Sequence, residues 1–402
     1  MKHVVIIGAV IPEPASTGAG IRMMQLMKFF LENNYKISFL SAAQNFEFSE
    51  KINVIPIELN NSSFDEKLKA LNPDIVVYDR FLTEEQFGSR VHEACPDAMI
   101  ILDTEDLQFL RKARENAYKA RRKCTEKDFQ NEIFIREIAS ILRCDLSLII
   151  SSAEYELLVT KFHINESLLL YLPFLDEAEP SKNSFQLRKN FVSIGNFLHE
   201  PNWHTVLQLK RIWEKIRKKF PDVELHIWGA YASEKVYQLH NEKEGFLIKG
   251  RAGNVQQLYD QYRVLLAPIP YGAGIKTKLW ESMKFGLPNI TSSIGAEGLQ
   301  YEIEWNGFVA DDEQQFSEKA AELYSEENVW NRAQLNGYQI LKENFDKQKF
   351  QLQLKESINE ITENIDLHRS KNYLGKILRH HLYNSSRYMT KWIEEKNRSK
   401  EV

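Results

Sequence analysis

Short, continuous apolar runs alternate with stretches of helical spacing along most of the chain. Residues 3–8, 35–40, 53–57, 74–78, 98–102 and 146–150 are rich in Val, Ile and Leu, with little polar alternation. Runs of this kind predict parallel strands covered on both faces. Between them, 21–31, 64–71, 84–94 and 131–143 carry apolar residues at helical spacing. The pattern is interrupted at 176–190, a polar stretch containing Pro180, Ser181, Asn183 and Ser184. It then restarts, with strands predicted at 191–195, 224–228, 246–249, 264–267 and 289–291. Helices are predicted at about 202–219, 254–262, 277–285 and 313–325.

The fold class that follows is α/β, with two Rossmann-like doubly wound domains facing across a cleft. The expected division is 1–175, a linker at 176–190, a second domain at 191–350, and a closing helix with a basic amphipathic tail over 351–402. A length of 402 residues suits two cores better than one. Ligands of such sheets bind beyond the C-terminal ends of the strands. Within the tail, 366–402 holds nine Lys/Arg against four Asp/Glu, interleaved with Tyr373, Leu374, Ile377, Tyr388, Met389 and Trp392. Two readings stay open there: a helix packed on the body with solvated charges outside, or a surface for a membrane or partner.

Composition narrows the partners. A hydrophobic content of 43% and a charged content of 27% are those of a soluble globular chain. A formal charge of −4 gives no polyanion signature, so nucleic acid is not an expected partner. No apolar run reaches the length of a membrane span. The run at 3–8 leads into a Pro- and Gly-containing loop without a cleavage pattern, so a first strand is expected there and not a signal peptide. Cys95, Cys124 and Cys144 form neither a metal-ligand spacing nor an even disulfide set. They are expected to be reduced thiols of a cytoplasmic protein, to which the second reading of the basic tail would add peripheral contact at the inner face of a membrane. No Asp-x-Asp and no clustered His, Cys and carboxylate occur, so no metal site is expected.

The richest chemistry lies at 272–281, Gly-Ala-Gly-Ile-Lys-Thr-Lys-Leu-Trp-Glu. Loop amides and a helix N-terminus favour anions, and Lys276 and Lys278 add full positive charge there. Glu281, three residues after Lys278, shares the helix face that looks back to the loop and offers an acceptor for hydroxyls. The plain alternative is a strand–loop–helix connection whose lysines face solvent. Against it, Gly286-Leu287-Pro288 ends the helix, and Gly295-Ala-Glu-Gly298-Leu opens a second Gly-rich turn.

In the first half, Gly18 and Gly20 follow the first strand and open a helix. Met23 breaks the Gly-x-Gly-x-x-Gly pattern, which argues against a dinucleotide cofactor. Asp103, Glu105 and Asp106 follow an apolar strand. They could orient an acceptor hydroxyl or take its proton, or they could cap the next helix. Ser151 and Glu154 have capping-box spacing. His199, in a loop after a strand, is either structural or faces the cleft. The basic run between Arg111 and Lys123 is expected to be a solvated loop and helix face, the sharper alternative being a surface for an anionic acceptor or phospholipid.

Taken in order, Val192-Ser-Ile-Gly-Asn196-Phe-x-x-x-Pro-Asn202, Glu224-Leu-His-Ile-Trp-Gly229 and the 272–298 block resemble the GT-B retaining glycosyltransferases of family 4. The likeness is greatest for the subgroup with Gly-x-Gly-x-Lys-x-Lys-x-x-Glu followed by Gly-Ala-Glu-Gly-Leu. Residues 14–22, Pro-Ala-Ser-Thr-Gly-Ala-Gly-Ile-Arg, are similar to the family's first loop, and Asp103-Thr-Glu-Asp106-Leu to its acceptor-side loop. The resemblance covers roughly 1–350.

It implies metal-independent, retaining transfer of a sugar from a nucleoside diphosphate sugar to a hydroxyl acceptor, a glycan or lipid-linked glycan. No cofactor is implied, the nucleotide sugar being the donor substrate. Glu281 matches the second glutamate of the Glu-x7-Glu motif, which binds ribose. The first would fall at Ala273, so it is missing here. Amides of Gly272, Ala273, Gly274 and Ile275 would then meet sugar and phosphate. The family's basic pair is replaced around Gly195 and Asn196, leaving Lys276, with Lys278 or Arg22, to neutralise the diphosphate. Gly18 and Gly20 complete the expected binding set, and Lys276, Glu281, Asp103 and Glu105 the expected catalytic set. A catalytically silent nucleotide-sugar-binding subunit and a GT-B epimerase are the alternatives that the missing glutamate keeps open.

Overall fold

A computed structural model describes residues 1–43, 52–181, 183–299 and 301–399. The first half builds a seven-stranded sheet from β1 (His3–Gly8), β2 (Lys36–Ser41), β3 (Asn53–Pro56), β4 (Ile75–Asp79), β5 (Met99–Asp103), β6 (Leu146–Ile149) and β7 (Leu169–Tyr171). Its order is β3-β2-β1-β4-β5-β6-β7, and every pairing is parallel. The continuous apolar runs have a direct cause in β1. Val4 and Ile6 enter one buried cluster with Met23, Leu26 and Phe30, while Val5 and Ile7 enter another with Phe64, Phe87 and Phe109. Both pleat faces are covered, so neither alternates with polar residues.

The second half repeats the plan with six strands, β8 (Lys189–Ile194), β9 (Leu225–Trp228), β10 (Phe246–Gly250), β11 (Tyr262–Ala267), β12 (Asn289–Thr291) and β13 (Gly307–Val309). Their order is β10-β9-β8-β11-β12-β13, again all parallel. The sequence pattern did not predict β7 and β13. Each is a three-residue edge strand, too short to show a period.

Helices of the first half are α1 (Gly18–Glu32), α2 (Ser63–Leu71), α3 (Phe81–Ala94), α4 (Gln108–Lys119), α5 (Glu132–Arg143) and α6 (Ser152–Glu156). The second half adds α7 (Glu200–Lys219), α8 (Glu234–Tyr237), α9 (Val255–Gln261), α10 (Thr277–Lys284), α11 (Ser293–Ala296), α12 (Glu313–Ser325) and α13 (Glu327–Asn344). The chain then returns to the first sheet. Phe350, Leu354, Ile358 and Ile361 of α14 (Lys347–Glu363) are buried in the cluster that holds Val4 and Ile6.

After α15 (Ile365–Lys371), the last helix, α16 (Tyr373–Arg398), lies along α5 and α3. Tyr383 donates to Glu84 Oε1 at 2.8 Å, and Arg379 donates to the Arg143 carbonyl at 2.6 Å. Glu84 and Arg143 form a fully buried pair beneath it. One face of the tail helix is therefore docked on the body. Among the described residues no helix is long and apolar enough to cross a membrane, and the three cysteines are unpaired.

Candidate active site

A cavity of about 650 Å³ lies between the two sheets. Its walls are the loops after β1, β4 and β5 on one side and after β8, β9, β10 and β11 on the other, all at C-terminal strand ends. In both sheets the strand order reverses beside the central strand, which splays the flanking loops and opens a crevice there. From the first half, Gly18, Gly20 and Glu105 line the cavity. From the second half Gly195, Asn196, the 272–276 loop, Lys278 and Glu281 do so.

Arg22 and Asp103 do not reach it. Arg22 Nε donates to Asp103 Oδ1 at 2.7 Å and its Nη1 to the Leu172 carbonyl at 2.7 Å, with both side chains buried beneath the wall. Asp103 is the last residue of β5, and α4 begins only at Gln108. The two side chains hold each other, although Arg22 Nη2 and Asp103 Oδ2 keep no partner among the described residues, and neither residue lines the cavity where a diphosphate or acceptor would sit. Nor does Asp103 cap α4. Glu137 of α5 accepts from the Gln108 and Phe109 amides instead, at 3.0 and 2.9 Å.

The N-terminus of α10 forms the second domain's side of the cavity. Lys276 Nζ donates to the Gly274 carbonyl at 2.9 Å and stands 3.9 Å from the Glu297 carboxylate. Burial pushes its pKa down to about 8, with Glu297 opposing. Lys278 Nζ donates to Asn202 Oδ1 at 2.7 Å, and burial brings it also to about 8, against the pull of Glu281. Glu281 itself is pushed up to about 7 by burial, with Lys284, the Tyr259 hydroxyl at 3.5 Å and Lys278 opposing. Cations and carboxylate thus exchange protons near neutrality, because each is held in a poorly hydrated wall.

The two halves touch across this helix start. A Cβ on Gly18 would stand 1.9 Å from Thr277 Oγ1, so the N-terminus of α1 meets that of α10 without room for a side chain. The Gly20 amide is occupied locally, donating to Thr17 Oγ1 at 3.0 Å. Gly274 adopts φ 62°, and its amide donates to Glu154 Oε1 at 2.6 Å. That amide is engaged by the first domain, contrary to the expectation that it faces sugar or phosphate. Glu154 also accepts from the Leu107 amide at 3.2 Å. It serves no capping box, since Ser151 makes no side-chain cap.

Arg114 on α4 completes the contact. It donates to both oxygens of Glu297 at 2.6 and 2.7 Å and to the Gly272 carbonyl at 2.8 Å. Asn196 Nδ2 bonds Ser16 Oγ at 3.1 Å from the opposite wall.

On the first domain's wall, Glu105 sits at φ 65° with a buried Oε1 that has no partner in the protein. Burial, then the Asp103 and Asp79 carboxylates, push it well above the usual carboxylate range. Asp79 is pushed to about 6 by burial, with Arg80 opposing. Asp106 pairs with Arg111 at 2.8 Å, and Arg111 Nη1 lies 3.4 Å from His199 Nε2. Arg80, Arg111 and His199 all line the cavity. Sequence reasoning missed the interdomain roles of Arg114 and Glu154 and the placement of Arg80 and Arg111. The signal was the basic run starting five residues after an acidic loop, at helical spacing. Among the described residues, no group of three or more His, Cys, Asp or Glu could hold a metal.

Residues 188–326 match the family model described as glycosyl transferases group 1. By sequence, no curated protein matches the chain. By structure, the chain is similar to the pneumococcal O-GlcNAc transferase GtfA solved with UDP and GlcNAc. The TM-score is 0.69 at 15% identity, over 90% of this chain and 99% of that one. It is also similar to S. aureus TarM, solved with fondaparinux, alpha-GlcNAc-glycerol and UDP, with a TM-score of 0.71 at 9% identity over 89% and 100% of the two chains. Anabaena HepE, solved with UDP and glucose, gives a TM-score of 0.67 at 11% identity over 90% and 100%. The chain therefore has the two-domain GT-B fold, and its second half matches the group 1 glycosyltransferase model.

Proposed function

We propose that the protein is a retaining glycosyltransferase that moves a sugar from a nucleoside diphosphate donor to a hydroxyl acceptor on a glycan or glycolipid. The observation that carries this reading is the α10 start. A buried cation and a half-buried one, a helix N-terminus and Glu281 one turn on face one cavity that both domains enclose. Lys276 and Lys278 neutralise the diphosphate, and Glu281 in its ionised form accepts from ribose hydroxyls. Negative charge growing on the leaving diphosphate is then stabilised by side chains, without a metal. One well-placed group of this kind lowers the barrier by roughly 3–4 kcal/mol.

Glu105 lines the same cavity, and its unpartnered buried oxygen marks where a sugar or acceptor hydroxyl fits. The UDP complexes of structurally similar proteins support a nucleotide-sugar donor. Exclusion of water by the closed cleft protects that donor from hydrolysis.

The test is thermal stabilisation by a panel of nucleoside diphosphate sugars. A matching donor at 100 times its Kd adds about 2.7 kcal/mol, and it should also be consumed in the presence of acceptor. Stabilisation without turnover or donor hydrolysis would identify a silent binding subunit. Release of free nucleotide without acceptor would identify an epimerase or hydrolase. No response to any nucleotide sugar overturns the reading.

A further inference from the structure

The tail helix leaves one face uncovered. α16 is held flat against the body at three points along its length. Asn372 Nδ2 donates to the Leu142 carbonyl at 2.7 Å near its start, and Tyr383 reaches Glu84 at its middle. Near its end Glu394 accepts from the Ser62 amide and hydroxyl at 3.1 and 2.6 Å. The opposite face carries Leu374, Ile377, Tyr388, Met389 and Trp392, each between 47% and 70% exposed. At 3.6 residues per turn these five fall within an arc of about 120°. A monomer normally buries such a stripe, and an exposed one marks a surface that something else covers.

Charge identifies the covering chemistry. Residues 366–402 carry a net charge of +5 in a chain whose total is −4, leaving −9 on the rest. Lys391 borders the exposed arc on one side, and Lys396 lies within it beside Trp392, its Nζ 4.9 Å over the ring. Aromatic rings bordered by long cationic side chains suit the boundary between acyl chains and anionic headgroups. There the ring is half desolvated and the ammonium meets phosphate. A second copy of the same helix would set like charges against each other.

We propose that the outer face of α16 binds an anionic lipid surface, lying parallel to it with Leu374, Ile377, Tyr388, Met389 and Trp392 at the acyl boundary. The docking of its inner face then seats the first domain on the membrane. Each lysine near an anionic leaflet strengthens binding by about fivefold, and salt weakens the attraction.

The test is co-sedimentation of the full chain with vesicles of phosphatidylcholine containing phosphatidylglycerol, against vesicles of phosphatidylcholine alone. Binding is expected to the first, weakened by salt, and not to the second. Lys391→Gln with Lys396→Gln should lower it by about 25-fold, and Tyr388→Ser with Trp392→Ser should lower it by tenfold or more. Both pairs are exposed, so their melting temperatures should match the parent's and exclude misfolding as the cause. The proposal fails if the parent ignores anionic vesicles, or if the variants bind as the parent does. It also fails if sedimentation velocity shows self-association that the Tyr388→Ser, Trp392→Ser pair abolishes while lipid binding is unchanged.

Discussion

Arg114 and Glu297, 183 residues apart, form a two-pronged ion pair at 2.6 and 2.7 Å that ties the first domain to the rim of the second domain's cavity. Glu297 also stands 3.9 Å from Lys276. The clasp that closes the domains therefore shares a carboxylate with the cation proposed to receive the diphosphate. Hydrogen bonds to charged groups contribute about 1.5–3 kcal/mol each. Arg114→Ala should lower kcat/KM by roughly 10- to 150-fold on that scale. It should also raise the radius of gyration in X-ray scattering, with secondary structure unchanged. An unchanged radius together with full activity would dissolve the clasp.

Lys276 lies where charge develops on the leaving group. Lys276→Ala should cut turnover by about two decades or more, in line with the loss of one preorganised charge, while the fold stays intact by circular dichroism. Near-normal turnover in this variant would falsify the role.

The Gly18–Thr277 approach allows a steric test of closure. Gly18→Ala places a Cβ where Thr277 Oγ1 stands, at 1.9 Å, so the domains must part slightly to admit it. Turnover should fall at least tenfold, and a misplacement of about 1 Å can cost a hundredfold. Combining it with Thr277→Ala should restore part of the loss. If the double variant is no better than Gly18→Ala alone, the contact does not limit closure.

Titration of the cavity wall sets a pH profile. Glu281 must be ionised to accept ribose hydroxyls, and its pKa is pushed up to about 7. Lys276 and Lys278 must be protonated, and theirs are pushed down to about 8. kcat/KM, which reports the free enzyme, should therefore peak between these values and fall on both sides. Glu281→Gln should lower the peak and remove its part of the acid limb.

Stability carries the same signature with a definite sign. Because Glu281 holds its proton more tightly folded than unfolded, its contribution is full below its ordinary range. That contribution is lost as pH rises through about 7. Glu281→Gln should accordingly gain stability relative to the parent at pH 8 compared with pH 5. A stability difference independent of pH, measured by denaturant titration, would mean that the carboxylate is not desolvated.

The amino-acid pattern by itself determined the architecture, for a physical reason visible in Val4–Ile7. Strands covered on both faces must be apolar at every position, and helices between them must carry a single apolar stripe. Both signatures are local. The Gly-rich loop with Lys276, Lys278 and Glu281 was legible in the same way, because a helix start and its first turn fix which side chains share a face. Edge strands β7 and β13 were not legible, since three residues carry no period.

What only the tertiary structure decided concerns residues whose partners lie far along the chain. Arg22 and Asp103 were read as ligand-facing, yet they are 81 residues apart and neutralise each other beneath the wall. Glu154 had the spacing of a capping box, but the packing of α6 aims it at Gly274, 120 residues away. Arg114 stood in a basic run that sequence gives to solvent, and only the meeting of two sheets places it on Glu297. Local spacing encodes which atoms a helix or loop presents. The choice of which of those atoms meet a ligand, and which meet each other, belongs to the packing of the two domains.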